Sequence, residues 1–324
     1  MWDALVLGVT TIGMFDVPAV IDRIRSEHVD GQASQLALSA GILATVSGGH
    51  GTQYGLGIPT VAGPAEAQAF VNARLAEGSD FLKITYEDFR HVGYDIPKLS
   101  PETLEALIRA AHRRKRLAVV HVMQRADTRL VLAAGADGLV HTFSDEFPDP
   151  DYGGFAAARG AFVIPTLALF QGMSRTVLGT EPLDDPLLEP FVSPRAAEFL
   201  RTPSAAGFAR TNFEVAVESV RRLHEAGVPV LAGSDAGNPG TADGATMHRE
   251  LEMLVYAGLT PAKALAAATS APAAAFRLRD RGRIAPGLRA DLLLVNGNPA
   301  ADVRAARDIA AIWQGGVRVS RAGE

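Results

Sequence analysis

The sequence predicts an α/β protein built on a parallel sheet, and three observations carry that reading. Short apolar runs rich in β-branched residues alternate with amphipathic segments, at spacings that fit seven strand-to-helix units. Four of the runs carry one ionisable residue at or near their end: Phe81-Leu-Lys83-Ile-Thr85, Ala118-Val-Val-His121-Val122, Gly138-Leu-Val-His141-Thr142 and Pro229-Val-Leu-Ala-Gly-Ser-Asp235. After Ala275 the alternation gives way to strands joined by turns, which marks a small β appendage. Right-handed crossovers are expected throughout the parallel part.

In chain order, Leu5 to Ile12 reads as a helix end running into a strand, Pro18 to Glu27 as a short helix and Gln35 to Leu43 as a second strand. Ser47 to Gly57 is too rich in glycine for a regular element and has the character of a loop running close over a ligand. A helix over Pro64 to Glu77 leads to the strand Phe81 to Tyr86. Ser100-Pro101-Glu102-Thr103 then opens a helix, with Ser as N-cap and Pro at the first helical position. The basic run Arg113 to Arg116 suits that helix's negative C-terminal end. Strands at 117–122, 138–143 and 162–167 alternate with helices near 126–134 and 153–159. An insertion over 170–203, rich in proline and acidic residues, sits where a lid would, and the helix 205–226 follows. The strand 229–235 precedes helices near 247–257 and 261–275. The tail pairs strands from 282–295 and 312–319 around a short helical segment at 302–307.

At 324 residues and 48% hydrophobic, the chain can bury a large core. Its net charge of −5 is dispersed, giving no electrostatic case for nucleic acid or an anionic membrane, so a small molecule is the expected partner. There are no cysteines, so any metal must be held by His, carboxylate or modified lysine. No apolar run approaches the roughly 20 residues needed to cross a bilayer, and the N-terminus lacks the basic region of a secretory signal. A cytoplasmic location is the expectation.

Each candidate residue has an ordinary reading beside the functional one. A lysine inside Phe-Leu-Lys83-Ile-Thr could be salt-bridged, but an ammonium on a fully buried strand needs a strong reason. A lone histidine is commonly a satisfied core residue; His121 and His141, matched on successive strands, point to ligands instead. Asp235 could cap the following loop, which would not explain the Gly233-Ser234 before it. His50 stands on the glycine-rich loop, open to substrate contact or to solvent. Tyr86 and Thr166 are substrate-side candidates weighed against core packing. His248, beside Glu250, reads as structural or supporting; His28, His91, His112 and His224 fall on expected surface segments. The acids Asp145, Glu146, Asp149 and Asp151 would favour a cationic substrate group or be solvated.

Gly233-Ser-Asp235-Ala-Gly237, His248-Arg-Glu-Leu-Glu252 with Ala257-Gly-Leu-Thr-Pro261, and Gly282-Arg-Ile-Ala-Pro-Gly-Leu-Arg-Ala-Asp291 resemble the amidohydrolase superfamily of metal-dependent hydrolases, in its imidazolonepropionase-like and prolidase-like branch. The resemblance runs from Gly8-Val-Thr-Thr11 to the C-terminus. It implies a (β/α)8 TIM-type barrel over 1–275 and a small β-sandwich remnant over 276–324. It also implies one or two divalent ions, zinc before manganese or iron, held by Lys83 as a carbamate, His121, His141 and Asp235. Asp235 would accept the proton of the attacking water, and the reaction would be hydrolysis of an amide or cyclic amide in a small molecule or dipeptide. The family's His-x-His pair on its first strand has no counterpart: the eight histidines stand at 28, 50, 91, 112, 121, 141, 224 and 248. The match begins at the second family strand. A barrel missing its first strand is therefore expected, with a truncated or inactive chain, or one drifted to lyase or cyclase chemistry, as the alternatives. The unpaired edges of such a barrel would favour homo-oligomers.

Overall fold

The computed structural model describes residues 12–14, 36–55, 57–174 and 180–321. The helix expected at Pro18 to Glu27, the start of the first strand and His28 lie outside these residues. Strands β1 (Ile12–Met14) and β2 (Leu36–Ser39) pair in parallel. A second parallel sheet runs β3 (Leu82–Thr85), β4 (Ala118–His121), β5 (Gly138–Val140) and β6 (Phe162–Ile164) in that order. Parallel bridges from Ala44 to Ile84 and from Val163 to Val230 extend the series at both ends. Seven extended segments thus lie side by side in chain order, the arrangement of an α/β barrel wall. Among the described residues β1 is not paired with the 229–231 segment, so the wall is open there.

The period of two along each strand sorts the side chains onto two faces. Leu82, Ile84, Val120, Val122, Leu139 and Val163 pack outward with helical residues such as Leu104, Leu107, Val131 and Leu132. Those four belong to α2 (Pro101–Arg113) and α3 (Arg125–Ala133), which follow α1 (Ala67–Ala76) in the outer layer. The inner face carries Phe81, Val119, Phe162 and Leu231 in one apolar layer with Phe276. The Phe276 ring lies 5.3 Å from both Phe81 and Phe162 and closes the amino end of the strands. Two residues further along the same inner face come Lys83 and His121, so the polar side chains gather at the carboxyl end.

Several elements differ from expectation for identifiable reasons. The run 229–235 is extended but makes ladder contacts only around Val230, because β6 pairs with its first residues and Gly233 lies against the Ile164 side chain. The expected helix 205–226 is divided: a 3₁₀ turn at Ala206–Arg210 precedes α8 (Phe213–Glu225), where the Asn212 side chain accepts the N–H groups of Glu214 and Val215 as a cap. The helix expected over 261–275 splits into α10 (Pro261–Ala267) and α11 (Ser270–Ala275), since Pro272 can neither donate to Ala268 nor fit beside its carbonyl. α4 (Tyr152–Ala157) and α9 (Ala245–Tyr256) fall near their expected places. In the tail, only Leu292–Val295 (β7) of the expected first strand is regular, and it pairs antiparallel with β8 (Ile309–Gln314), which pairs with β9 (Val317–Val319).

The insertion contains α5 (Leu167–Met173), α6 (Glu181–Asp184) and α7 (Pro194–Arg201); residues 175–179 lie outside the described set. Ion pairs hold it against α9 and the tail. Asp185 meets Arg307 at 2.6 Å, Arg249 meets Glu181 at 3.3 Å, and Arg249 donates to Gln171. The Phe199 carbonyl accepts the Gly240 N–H, tying α7 to the loop that follows Asp235.

Candidate active site

Lys83, His121, His141, Asp235 and His50 come together at the carboxyl end of the strands. The imidazoles of His121 and His141 meet edge-on with centroids 4.5 Å apart, and His50 lies 4.7 Å from His121. His141 Nε2 stands 3.7 Å from Asp235 Oδ2. Lys83 is buried on the inner face of β3 and is felt electrostatically by Asp235 and both strand histidines. Tyr86 does not join them. It lies on the outer face in the helix-packed core, with Lys98 over its ring at 5.1 Å. Thr166 does join, through His141.

The hydrogen bonds fix how two imidazoles present themselves. Thr166 Oγ1 donates its one proton to the Pro165 carbonyl at 2.7 Å, so it must accept from His141 Nδ1, also at 2.7 Å. His141 therefore carries its proton on Nδ1 and turns the Nε2 lone pair towards Asp235. Gln53 Oε1 accepts the Gly51 N–H, which leaves its Nε2 to donate to His50 Nδ1 at 2.8 Å. Neutral His50 is then an N–H donor through Nε2. The Thr85 hydroxyl contacts the His50 carbonyl at 3.3 Å and anchors the glycine-rich loop to β3. Asp235 receives Asn238 Nδ2 on both Oδ2 and its own carbonyl, each at 2.9 Å.

Burial governs the protonation states. It holds both His121 and His141 well below the usual histidine value; the other positive groups of the cluster push the same way. His50 falls to about 4 by burial, reinforced by Lys83. Burial lowers Lys83 to about 8, although Asp235 opposes the shift. Asp235 is raised by burial, with Lys83 and the Asn238 bond pulling it back. The cluster so tuned holds neutral imidazoles and an amine within reach of its unprotonated form near neutral pH.

The backbone is strained at the same place. Among the described residues six non-glycine residues have positive φ, and four of them, Phe89, His141, Thr166 and Asp235, belong to or touch this cluster. For a β-branched residue such as Thr166, at φ 53°, this is a costly conformation that the surroundings must hold. Glu250 on α9 contributes: its buried Oε2 accepts the Ala168 N–H at 2.7 Å, at the start of α5 next to Thr166.

Three buried residues of the segment after β3 were not marked by the sequence pattern. Glu87 accepts the N–H groups of Asp88, Phe89 and Met123, tying β3 to β4 just beyond Lys83 and His121. Phe89 lies against His50 and His121. His91, expected on the surface, has a side chain only 5% exposed, with Nδ1 3.7 Å from Glu87. The available signal was the pair of acids directly after a strand bearing a buried lysine. His112 and His224 do lie in exposed contacts, with Asp137 and Lys263. His248 is buried on α9. The acids of this loop are paired with arginines: Arg125 binds Glu146 and Asp149, and Arg129 binds Asp151.

Among the described residues no group of three His, Cys, Asp or Glu side chains stands in a metal-holding arrangement. The donors nonetheless suit one. His121 Nε2 is buried with no hydrogen-bond partner among the described residues, and His141 Nε2 offers its lone pair beside a carboxylate.

The amidohydrolase family model matches residues 73–319. An imidazolonepropionase from Deinococcus deserti is 41% identical over 103 residues, which are 31% of this chain and 26% of that protein. A second, from Streptomyces griseus, is 38% identical over 104 residues, 31% of this chain and 26% of that protein. The aligned stretch thus spans about a quarter of these curated relatives. A prolidase-like structure from Bifidobacterium longum superposes with a TM-score of 0.76 at 28% identity, over 99% of this chain and 76% of its own. A Xaa-Pro dipeptidase with methionine in its active site superposes at 0.75 and 22% identity, over 98% of this chain and 77% of its own, a likeness of fold.

Proposed function

The chain belongs to the amidohydrolase family, and we propose that it hydrolyses a C–N bond of an amide or cyclic amide in a small molecule. The observation that carries this reading is the convergence of His121, His141, Lys83 and Asp235 at the carboxyl end of the strands. His121 Nε2, His141 Nε2 and Asp235 would hold a divalent ion, zinc first, with Lys83 joining as a carbamate. Such an ion activates water at neutral pH and polarises the scissile carbonyl. Burial lowers Lys83 towards its neutral amine, the form that reacts with carbon dioxide. Asp235, raised by burial, is suited to take a proton from water and return it to the leaving nitrogen. Thr166 keeps His141 in the tautomer that leaves Nε2 unprotonated. His50, as a donor through Nε2, would orient a carbonyl or carboxylate of the substrate.

The second reading is a barrel that holds no metal by itself, favoured by the lack of a three-ligand group among the described residues. Elemental mass spectrometry on protein purified without chelator separates the two. The expected result is about one equivalent of zinc or manganese per chain, lost in Lys83→Ala and His141→Ala. Turnover of an amide panel should fall at least about a hundredfold in Asp235→Asn, the scale of a lost general base. No metal after reconstitution with zinc and bicarbonate, or full activity in Asp235→Asn, would sink the hydrolase reading.

A further inference from the structure

We propose that the substrate carries an aromatic ring, or a similarly flat apolar group, seated on a run of aromatic side chains that leads from solvent to His121. This names the substrate class of the amide hydrolase proposed above and rests on that reading. Two branches of rings converge. In one, Tyr54 lies 6.2 Å from His50, which lies 4.7 Å from His121. In the other, Tyr94 lies 6.0 Å from Phe208, Phe208 5.7 Å from Phe89, and Phe89 6.3 Å from His121. Exposure falls along both: Tyr54 and Tyr94 are 61% and 43% exposed, His50 and Phe208 half-buried, Phe89 buried. The rings come from three separate segments, 50–54, 89–94 and 206–210, so no single helix face or strand accounts for their meeting.

The angles are those of a corner. Phe89 meets His50, His121 and Phe208 at 86°, 81° and 82°. A flat group stacked on one of these walls meets the next edge-on, the two arrangements aromatic rings favour. The corner is also held in place. Phe89 sits at φ 59°, a left-handed conformation that a bulky residue adopts only when its surroundings impose it. Glu87 imposes it by accepting the Phe89 N–H at 2.7 Å and the Met123 N–H at 2.9 Å, which makes Glu87 a positioning residue. Segment 206–210 presses so closely on 92–94 that a Cβ at Gly207 would stand 2.6 Å from the Val92 carbonyl. Isolated exposed aromatics need no explanation, but a graded, braced series ending at the reacting cluster does.

The test reads binding and turnover separately on the full chain. Calorimetric titration with benzoate and with cyclohexanecarboxylate compares a flat ring with a puckered one of similar size. Benzoate should bind about three- to tenfold tighter, the range of a ring-on-ring contact. Phe208→Leu and Phe89→Leu should each reduce that preference towards parity, with circular dichroism showing that each variant is folded. Equal binding of the two, no benzoate binding at millimolar concentration, or a preference unchanged in both variants would overturn the proposal. A benzoate preference without cleavage of any amide would leave the ring subsite standing and sink the hydrolase reading. Cleavage of amides without preference for aryl ones would do the reverse.

Discussion

Glu250→Gln isolates one buried carboxyl group and reads its protonation as stability. Glu250 is fully buried, its Oε2 accepts the Ala168 N–H at 2.7 Å, and its Oε1 has no hydrogen-bond partner among the described residues. Burial raises it from the ordinary 4.5 to about 7, against the opposing pull of the backbone bonds and Arg249. Between those values the folded chain keeps a proton that the unfolded chain has released. Stability must therefore fall as pH rises through this window and level off above it. At about 1.4 kcal/mol per pH unit, the full effect is roughly 3 kcal/mol, of which roughly 2.5 kcal/mol lies between pH 5 and pH 8. Glutamine keeps an oxygen for the Ala168 N–H and has nothing to titrate. Urea unfolding of wild type and variant at pH 5, 6, 7 and 8 gives the difference directly, since every other titrating group is common to both. The variant's stability relative to wild type should rise by roughly 2–3 kcal/mol from pH 5 to pH 8. A constant difference across the range would show that Glu250 is ionised throughout and that the reasoning from burial is wrong.

Two further outcomes follow from groups of opposite sign and from packing. His91 is lowered from 6.5 to about 4 by burial, so its contribution is complete above pH 6.5 and is lost as pH falls towards 4. His91→Phe should lose up to about 3 kcal/mol less than wild type over that interval, and identical acid unfolding curves would contradict it. In Gly233→Ala the new Cβ would stand 2.3 Å from Ile164 Cγ2, so the Ile164 side chain, and with it the packing of β6 on the 229–235 run, must shift. Because the Ile164 carbonyl accepts the His141 N–H, that shift disturbs His141 and Asp235 together. The expected cost is about 1–3 kcal/mol of stability with a loss of metal affinity, and an unaltered melting point with full metal occupancy would refute the close-approach role of this glycine.

Much of the architecture was legible because it depends on local periodicity. Ser100-Pro101 announced its helix and does cap it, accepting the Thr103 N–H. The inner faces of β3 and β4 could be assigned from the alternation of Phe81, Lys83 and of Val119, His121 with their apolar neighbours. The same alternation held the answer for Tyr86, an even-numbered neighbour of Ile84, which follows it to the outer face. Proline at 272 and asparagine at 212 broke helices that the apolar pattern alone would have continued.

Local patterning was enough for the order of strands and helices, the family, and the placing of Lys83, His121, His141 and Asp235 at or near the ends of buried runs. These follow from side-chain period and from the cost of burying a charge without a purpose, both of which are local. Which groups face one another is visible only once the chain is packed. The tautomer of His141 depends on Thr166, 25 residues away, and the conformation of Thr166 adjoins a bond from Glu250, 82 residues from Ala168. His91 was expected on the surface, but its side chain is buried beside Glu87 and Phe89, and Phe89 in turn packs on Phe208 of the distant segment 206–210. Protonation states and aromatic corners are sums over neighbours brought in from distant parts of the chain, and no window along the sequence contains those neighbours.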